Sequence, residues 1–283
     1  MKTYYLLTKP KILVGNLITT VAGFALACTA AGVNFLLFLE TLVGLGLVIA
    51  SACVCNNYID RHTDQKMKRT QSRPLVKGLI SNRSALIFAA FTGISGLAIL
   101  AYFANLLAAG TALIGFLVYV GFYSLLKTQT TYATLVGSIS GAIPPVVGYV
   151  AVSGRLDLAA ALLFAILVLW QMPHFYSIAI YSFDDYSAAS IPVLPIARGI
   201  PTAKKHIFIY IVAFLLCVPF LTVLGYTGYA YLVVALVSGG IWLWYGYQGF
   251  KAKNDASWAR SMFVVSLITI TAISGVITIS SRI

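Results

Sequence analysis

Apolar runs of about 20 residues, each long enough to cross a bilayer core roughly 30 Å thick, recur nearly end to end in this chain. Nine can be marked, over residues 12–31, 36–56, 84–103, 107–126, 132–152, 158–180, 207–225, 229–250 and 260–280. In hydrocarbon the backbone must satisfy its own N–H and C=O groups, and unbroken stretches of this length do so as helices. The expected fold class is therefore all-α: a polytopic transmembrane bundle of about nine helices whose natural partner is the lipid bilayer. Residues 1–283 read as one domain, because no linker, low-complexity tract or soluble segment interrupts the pattern. With 60% hydrophobic and only 9% charged residues, the chain lacks the polar surface a water-soluble domain needs.

Net charge is +12, so a polyanionic partner has to be considered, and the placement of the charges decides. Nine alternating spans sort the loops into two sides. Seventeen of the nineteen basic residues fall on one side, leaving Arg155 and Arg282 on the other. That is the asymmetry of the positive-inside rule, which places the N-terminus in the cytoplasm and the C-terminus across the membrane. These charges border apolar spans rather than forming a soluble basic face, and no nucleic acid is expected as a partner. The first span is too long for a signal h-region and is followed at once by another, so it reads as an uncleaved helix. Cys28, Cys53, Cys55 and Cys217 all lie within spans, without the spacing of a zinc or redox motif.

Two connections on the basic side are long and polar, residues 57–83 and 181–206. Each follows an even-numbered span, which suggests a duplicated four-helix unit with a ninth helix added. Pro144-Pro145 and Pro173 interrupt the hydrogen-bond ladders of spans five and six, and Gly44, Gly46, Gly137, Gly141 and Gly148 are candidates for close helix approach.

In the first connection, Asn56, Asp60, Asp64 and Lys68 fall on one stripe if the helix continues, drifting about 40° per step. Ionised carboxylates one turn apart at a membrane border are costly and need a counterion. Hard oxygen ligands of this kind suit Mg²⁺ shared with substrate phosphates. Arg61, Lys66, Lys68, Arg69 and Arg73 would neutralise the remaining phosphate charge, with Arg supplying forked donors. A solvated loop, in which the acids merely pair with neighbouring bases, accounts for the same residues. The second connection carries Asp184 and Asp185 on the same side. Two to three helical turns earlier, His174 stands beside Pro173, where an imidazole serves either function or the backbone that the proline leaves unsatisfied.

The run Asn56-Asn57-Tyr58-Ile59-Asp60-Arg61-His62-Thr63-Asp64, continuing through Met67-Lys68-Arg69-Thr70, resembles the N-x-x-x-D-x-x-x-D signature of the UbiA-type membrane prenyltransferases. Trp170-Gln171-Met172-Pro173-His174-Phe175, and Asp185-Tyr186 followed by Ile191-Pro192-Val193-Leu194-Pro195, resemble the haem-modifying branch of that family. The resemblance spans essentially the whole chain. It implies transfer of a farnesyl group from farnesyl diphosphate to a vinyl group of haem b, with hydration to haem O, in a bacterial inner membrane. It also implies Mg²⁺ as cofactor, and haem A synthase or terminal oxidase assembly factors as protein partners.

By the same resemblance Asn56, Asp60, Asp64 and Asp185 hold the metal, and Arg69 and Arg73 stabilise the diphosphate. Lys68, Tyr181 and Tyr186 are expected to line the substrate site, and His174 to act toward the haem. The sequence departs from the wider family at the fourth position after Asp185, where a second aspartate is replaced by Ala189. A prenyltransferase acting on a quinone or chlorophyll precursor, and a secondary transporter for a lipid or anionic metabolite, remain the other readings. The transporter is disfavoured by the gathering of acids and bases on one side.

Overall fold

A computed structural model describes residues 2–28 and 32–280. Arg282, counted above, and the last three residues of the first expected span lie outside the described residues. Among the described residues nine helices are long and apolar enough to cross a membrane: α1 (Pro10–Ala27), α2 (Phe35–Asp64), α3 (Asn82–Ala104), α4 (Leu106–Leu126), α5 (Ala133–Ser153), α6 (Leu158–Tyr181), α7 (Ile200–Val223), α8 (Tyr229–Lys251) and α9 (Asp255–Ser280).

Two boundaries differ from expectation by seven residues or more, and each has a polar cause. Helix α2 runs eight residues past its apolar stretch. Its 30 residues span about 45 Å, against roughly 30 Å of hydrocarbon, so its last turns stand clear of the membrane core. There its polar side chains find partners inside the protein: Asn57 Nδ2 donates to Leu7 O at 2.8 Å, and Asp60 and Asp64 each meet a cation. The helix then ends at Asp64 and the chain turns, so Lys68 does not continue the stripe and is exposed. Helix α7 begins at Ile200, seven residues early, because the stem of Lys204 is buried and its Nζ reaches Asp255 of α9 at 2.5 Å.

The prolines act unequally. The ladder of α5 is broken between Gly141 and Ile143, just before Pro144-Pro145, whereas α6 passes through Pro173 as one helix. Ser177 Oγ donates to Pro173 O at 2.7 Å, and Gln171 Nε2 donates to Leu167 O and to Ser138 O of α5, both at 3.2 Å. These side chains knit the backbone around the proline to its surroundings.

One apolar core threads all nine helices, from Ala22 in α1 through Val147, Leu163, Phe214 and Trp242 to Ile273 in α9. Phe91, Ile94, Leu216 and Trp244 point outward, as lipid-facing side chains do. Helix α3 packs on α2 as α7 packs on α6, and α4 on α3 as α8 on α7, so the neighbour order of the first four helices recurs in the next four. Helix α9 closes the ring against α1, α6 and α8. Backbones touch most closely between α1 and α5, where a Cβ on Gly148 would overlap Thr20 O and one on Gly23 would overlap Pro145 O. Gly46 differs from the other four expected glycines: a Cβ there would make only ordinary contacts, the nearest at 3.9 Å to Leu13.

Candidate active site

The extension of α2 sets three polar side chains at i, i+4 and i+8, and all three are buried: Asn56 at 2% exposure, Asp60 at 4% and Asp64 at 1%. Each is met by a cation from a different part of the chain. Asn56 Oδ1 accepts from Lys9 Nζ, Asp60 pairs with Lys127 Nζ, and Asp64 Oδ2 pairs with Arg73 Nη1 at 2.5 Å. Sealed carboxylates of this kind are poorly explained by a solvated loop, in which both acids would face water.

The two lysines are absent from the motif reading, since each lies far from the acids in sequence. Lys9 immediately precedes α1 in the left-handed backbone region, φ 50° and ψ 64°, which turns its side chain back toward α2. Burial and the nearby Arg73 guanidinium pull its ammonium down to about 8. Lys127 follows a π-helical stretch, Val118–Tyr123, that re-aims the end of α4. The same distortion lets Ser124 Oγ donate to Tyr119 O and accept from Asn56 Nδ2, both at 2.9 Å. A lone basic residue at the end of an apolar span is the signal that points to Lys127, and it is a weak one.

The second connection folds into two short helices, Phe183–Ala188 and Leu194–Arg198, and comes to lie against the first. Asp185 Oδ1 accepts from the Lys68 backbone N–H at 2.9 Å. Arg69 Nη2 lies 3.4 Å from the Tyr186 hydroxyl, with the guanidinium 5.7 Å from the ring centroid. A small apolar cluster of Met67, Ala189 and Ile191 fastens the two segments beneath these contacts. Ala189, where the wider family pattern has a second aspartate, is thus a packing residue, and a carboxylate there would be buried among methionine and isoleucine. Asp184 is exposed.

The geometry therefore gathers most of the expected residues but not all. Lys68 contributes its backbone N–H. Arg61 folds back on its own helix, over the Tyr58 ring at 4.3 Å, and Lys66 is exposed. Among the described residues Asp60, Asp64 and Asp185 do not form a closed metal cage. The donors fit a hard divalent cation that arrives with phosphate: two carboxylates one turn apart with an amide beside them, met by Lys9, Lys127 and Arg73.

His174 lies deeper in α6, 8% exposed. Its Nδ1 is 2.7 Å from Ser266 Oγ of α9, rather than on backbone freed by Pro173. The ring stacks on Trp170 at 4.7 Å between centroids and meets Phe263 at 4.9 Å, and Trp170 Nε1 donates to Ser266 O at 2.8 Å. Phe263 also meets Tyr181, at 5.7 Å, so one aromatic chain leads from His174 to the end of α6.

The sequence model described as the UbiA prenyltransferase family matches residues 16–268. A Pseudomonas fluorescens protein named protoheme IX farnesyltransferase 2 is 53% identical over 275 residues, covering 97% of this chain and 93% of that protein. Among solved structures, one described as digeranylgeranylglyceryl phosphate synthase superposes with a TM-score of 0.82 at 20% identity, covering 99% of this chain and 98% of the other. A UbiA homologue from Archaeoglobus fulgidus, bound to GPP and Mg²⁺, superposes with a TM-score of 0.71 at 17% identity, covering 98% and 99%. At those identities the likeness is one of fold. The family match and the sequence relative together carry the stronger statement: this chain belongs to the UbiA prenyltransferase family.

Proposed function

We propose that the protein transfers a farnesyl group from farnesyl diphosphate to a vinyl group of haem b and that water adds to the product, giving haem O. The observation that carries this reading is the 53% identity, over 97% of the chain, to a protein named protoheme IX farnesyltransferase 2. The buried acids ringed by cations support it, because they suit a metal–diphosphate.

Asn56, Asp60 and Asp64 hold the metal with the diphosphate, and Asp185 completes the site from the second connection. Bound Mg²⁺ supplies Lewis-acid charge that stabilises the leaving diphosphate. Lys9, Lys127 and Arg73, paired with Asn56, Asp60 and Asp64 in this structure, turn to the phosphate oxygens when the substrate enters. Arg69 and the Lys68 segment close over them. Cations held in place before the reaction stabilise the negative charge that develops as the allylic C–O bond breaks and its electron pair leaves with the diphosphate. The terminal vinyl carbon then bonds to farnesyl C1. The positive charge left on the inner vinyl carbon takes up water, and a proton is released. Tyr181 and Tyr186 line the space where the allylic charge is exposed, and their ring faces shelter it. His174 acts on the acceptor side, through Phe263, rather than on the diphosphate.

The site lies on the basic side of the bundle, which is the cytoplasmic side of a bacterial inner membrane, and haem O passes from there to haem A synthase or terminal oxidase assembly factors. The test is purified protein with haem b, farnesyl diphosphate and Mg²⁺, followed by mass analysis of the pigment. Gain of one farnesyl and one hydroxyl group is expected, and its loss on chelation of Mg²⁺. Unchanged haem, alongside prenylation of a quinone precursor, refutes the acceptor assignment.

A further inference from the structure

Between the end of α6 and the first turns of α9 lies an open groove of about 600 Å³, within the roughly 300–1,000 Å³ range of small-molecule sites. Tyr181, Asn254, Ser257, Arg260, Phe263 and Val264 are among its lining residues. Ser257, Arg260 and Val264 follow the i, i+3, i+7 spacing of one helix face, and Tyr181 and Phe263 add aromatic rings to the lining, in which Arg260 is the single cation. Arg260 is exposed, and among the described residues it pairs with no carboxylate. The acid nearest to it in sequence, Asp255, is committed to Lys204. Two of its lining side chains tie the groove to the site described above: the Tyr181 ring meets Phe263 at 5.7 Å between centroids, and Phe263 in turn meets His174 at 4.9 Å.

We propose that this groove seats the porphyrin acceptor, with the Arg260 guanidinium holding a propionate and the rings of Tyr181 and Phe263 lying against the macrocycle. The inference rests on haem b being the acceptor. Haem b is a flat apolar disc with two carboxylates on one edge and its vinyl groups toward the opposite edge. A cation at the rim of an aromatic groove matches that polarity. With the propionates anchored at the rim, a vinyl edge points past Tyr181 toward Arg69, where the allylic carbon is generated. Orientation by a remote charge is what lets one vinyl group react and not the other. Arg260 is thus a positioning residue.

The experiment is a titration of detergent-purified protein with haem b and with its dimethyl ester, followed at the Soret band, for the wild type, Arg260→Gln and Arg260→Lys. The wild type is expected to prefer the diacid by about tenfold or more, as a charge-assisted hydrogen bond implies. Arg260→Gln should bind both porphyrins with the affinity the wild type has for the ester, while Arg260→Lys keeps most of the preference. Binding of a farnesyl diphosphate analogue and the melting temperature should not change in either variant. The proposal is overturned if Arg260→Gln keeps the wild-type preference. It is equally overturned if diacid and ester lose affinity alike, which would make Arg260 a lipid-headgroup or structural residue. Wild-type protein that fails to farnesylate haem b at all would sink the acceptor reading, and the groove with it.

Discussion

Replacing Asp60 by Asn separates a ligand from a mere charge partner. Asn keeps the shape and one oxygen but removes the charge, leaving Lys127 without its carboxylate. Stranding a fully sealed charge costs about 3–5 kcal/mol. The Lys127 side chain is 12% exposed at the end of α4 and can partly reach water, so about 2 kcal/mol is expected here. The effect on turnover should be larger. Groups that only orient metal ligands typically cost 10–100-fold when removed, so losing a ligand itself should exceed about 100-fold, or about 2.7 kcal/mol of transition-state stabilisation. The two losses come apart in the double variant Asp60→Asn/Lys127→Met, in which no charge is stranded. Its melting temperature in detergent should return toward that of the wild type, while haem O formation and Mg²⁺-dependent binding of a farnesyl diphosphate analogue stay lost. Recovery of product together with stability would refute the ligand role and leave Asp60 as half of a structural ion pair.

Other perturbations test separate parts of the molecule. Asp185→Ala removes the acceptor for the Lys68 N–H, and loss of that charged hydrogen bond should loosen residues 65–81 by about 1–3 kcal/mol; limited proteolysis should then cut there sooner, and wild-type resistance would argue against the clamp. Gly148→Val forces a side chain into Thr20 O and should destabilise by about 3 kcal/mol or more, so an unchanged melting temperature would contradict the α1–α5 contact. Topology can be read from Lys77→Cys and Lys205→Cys, both exposed, which should be labelled from the cytoplasmic face only; Ala203, although nearby, is fully buried and would be silent. His174→Ala should reduce haem O formation while analogue binding stays near normal, whereas loss of analogue binding with intact haem affinity would move His174 to the phosphate site.

Hydropathy alone determined the number of crossings and the class of fold, because a hydrocarbon solvent leaves an apolar 20-residue segment little choice but helix. The stripe Asn56, Asp60, Asp64 was legible for a related reason: carboxylates are so costly at a membrane border that their mere presence signals a role. Three things were decided only by the tertiary structure. The helix stops at Asp64, where turn and ion-pair energetics outweigh a pattern that would carry the stripe to Lys68. Lys9 and Lys127 come to the acids through an unusual backbone conformation and a π-helical stretch, which leave almost no local signature. Ala189 appears as a gap in a motif until Met67 and Ile191 are seen to enclose it. Sequence periodicity records which solvent each residue faces along its own helix; which residues meet across helices is set by how the helices pack, and a single chain read in order does not display it.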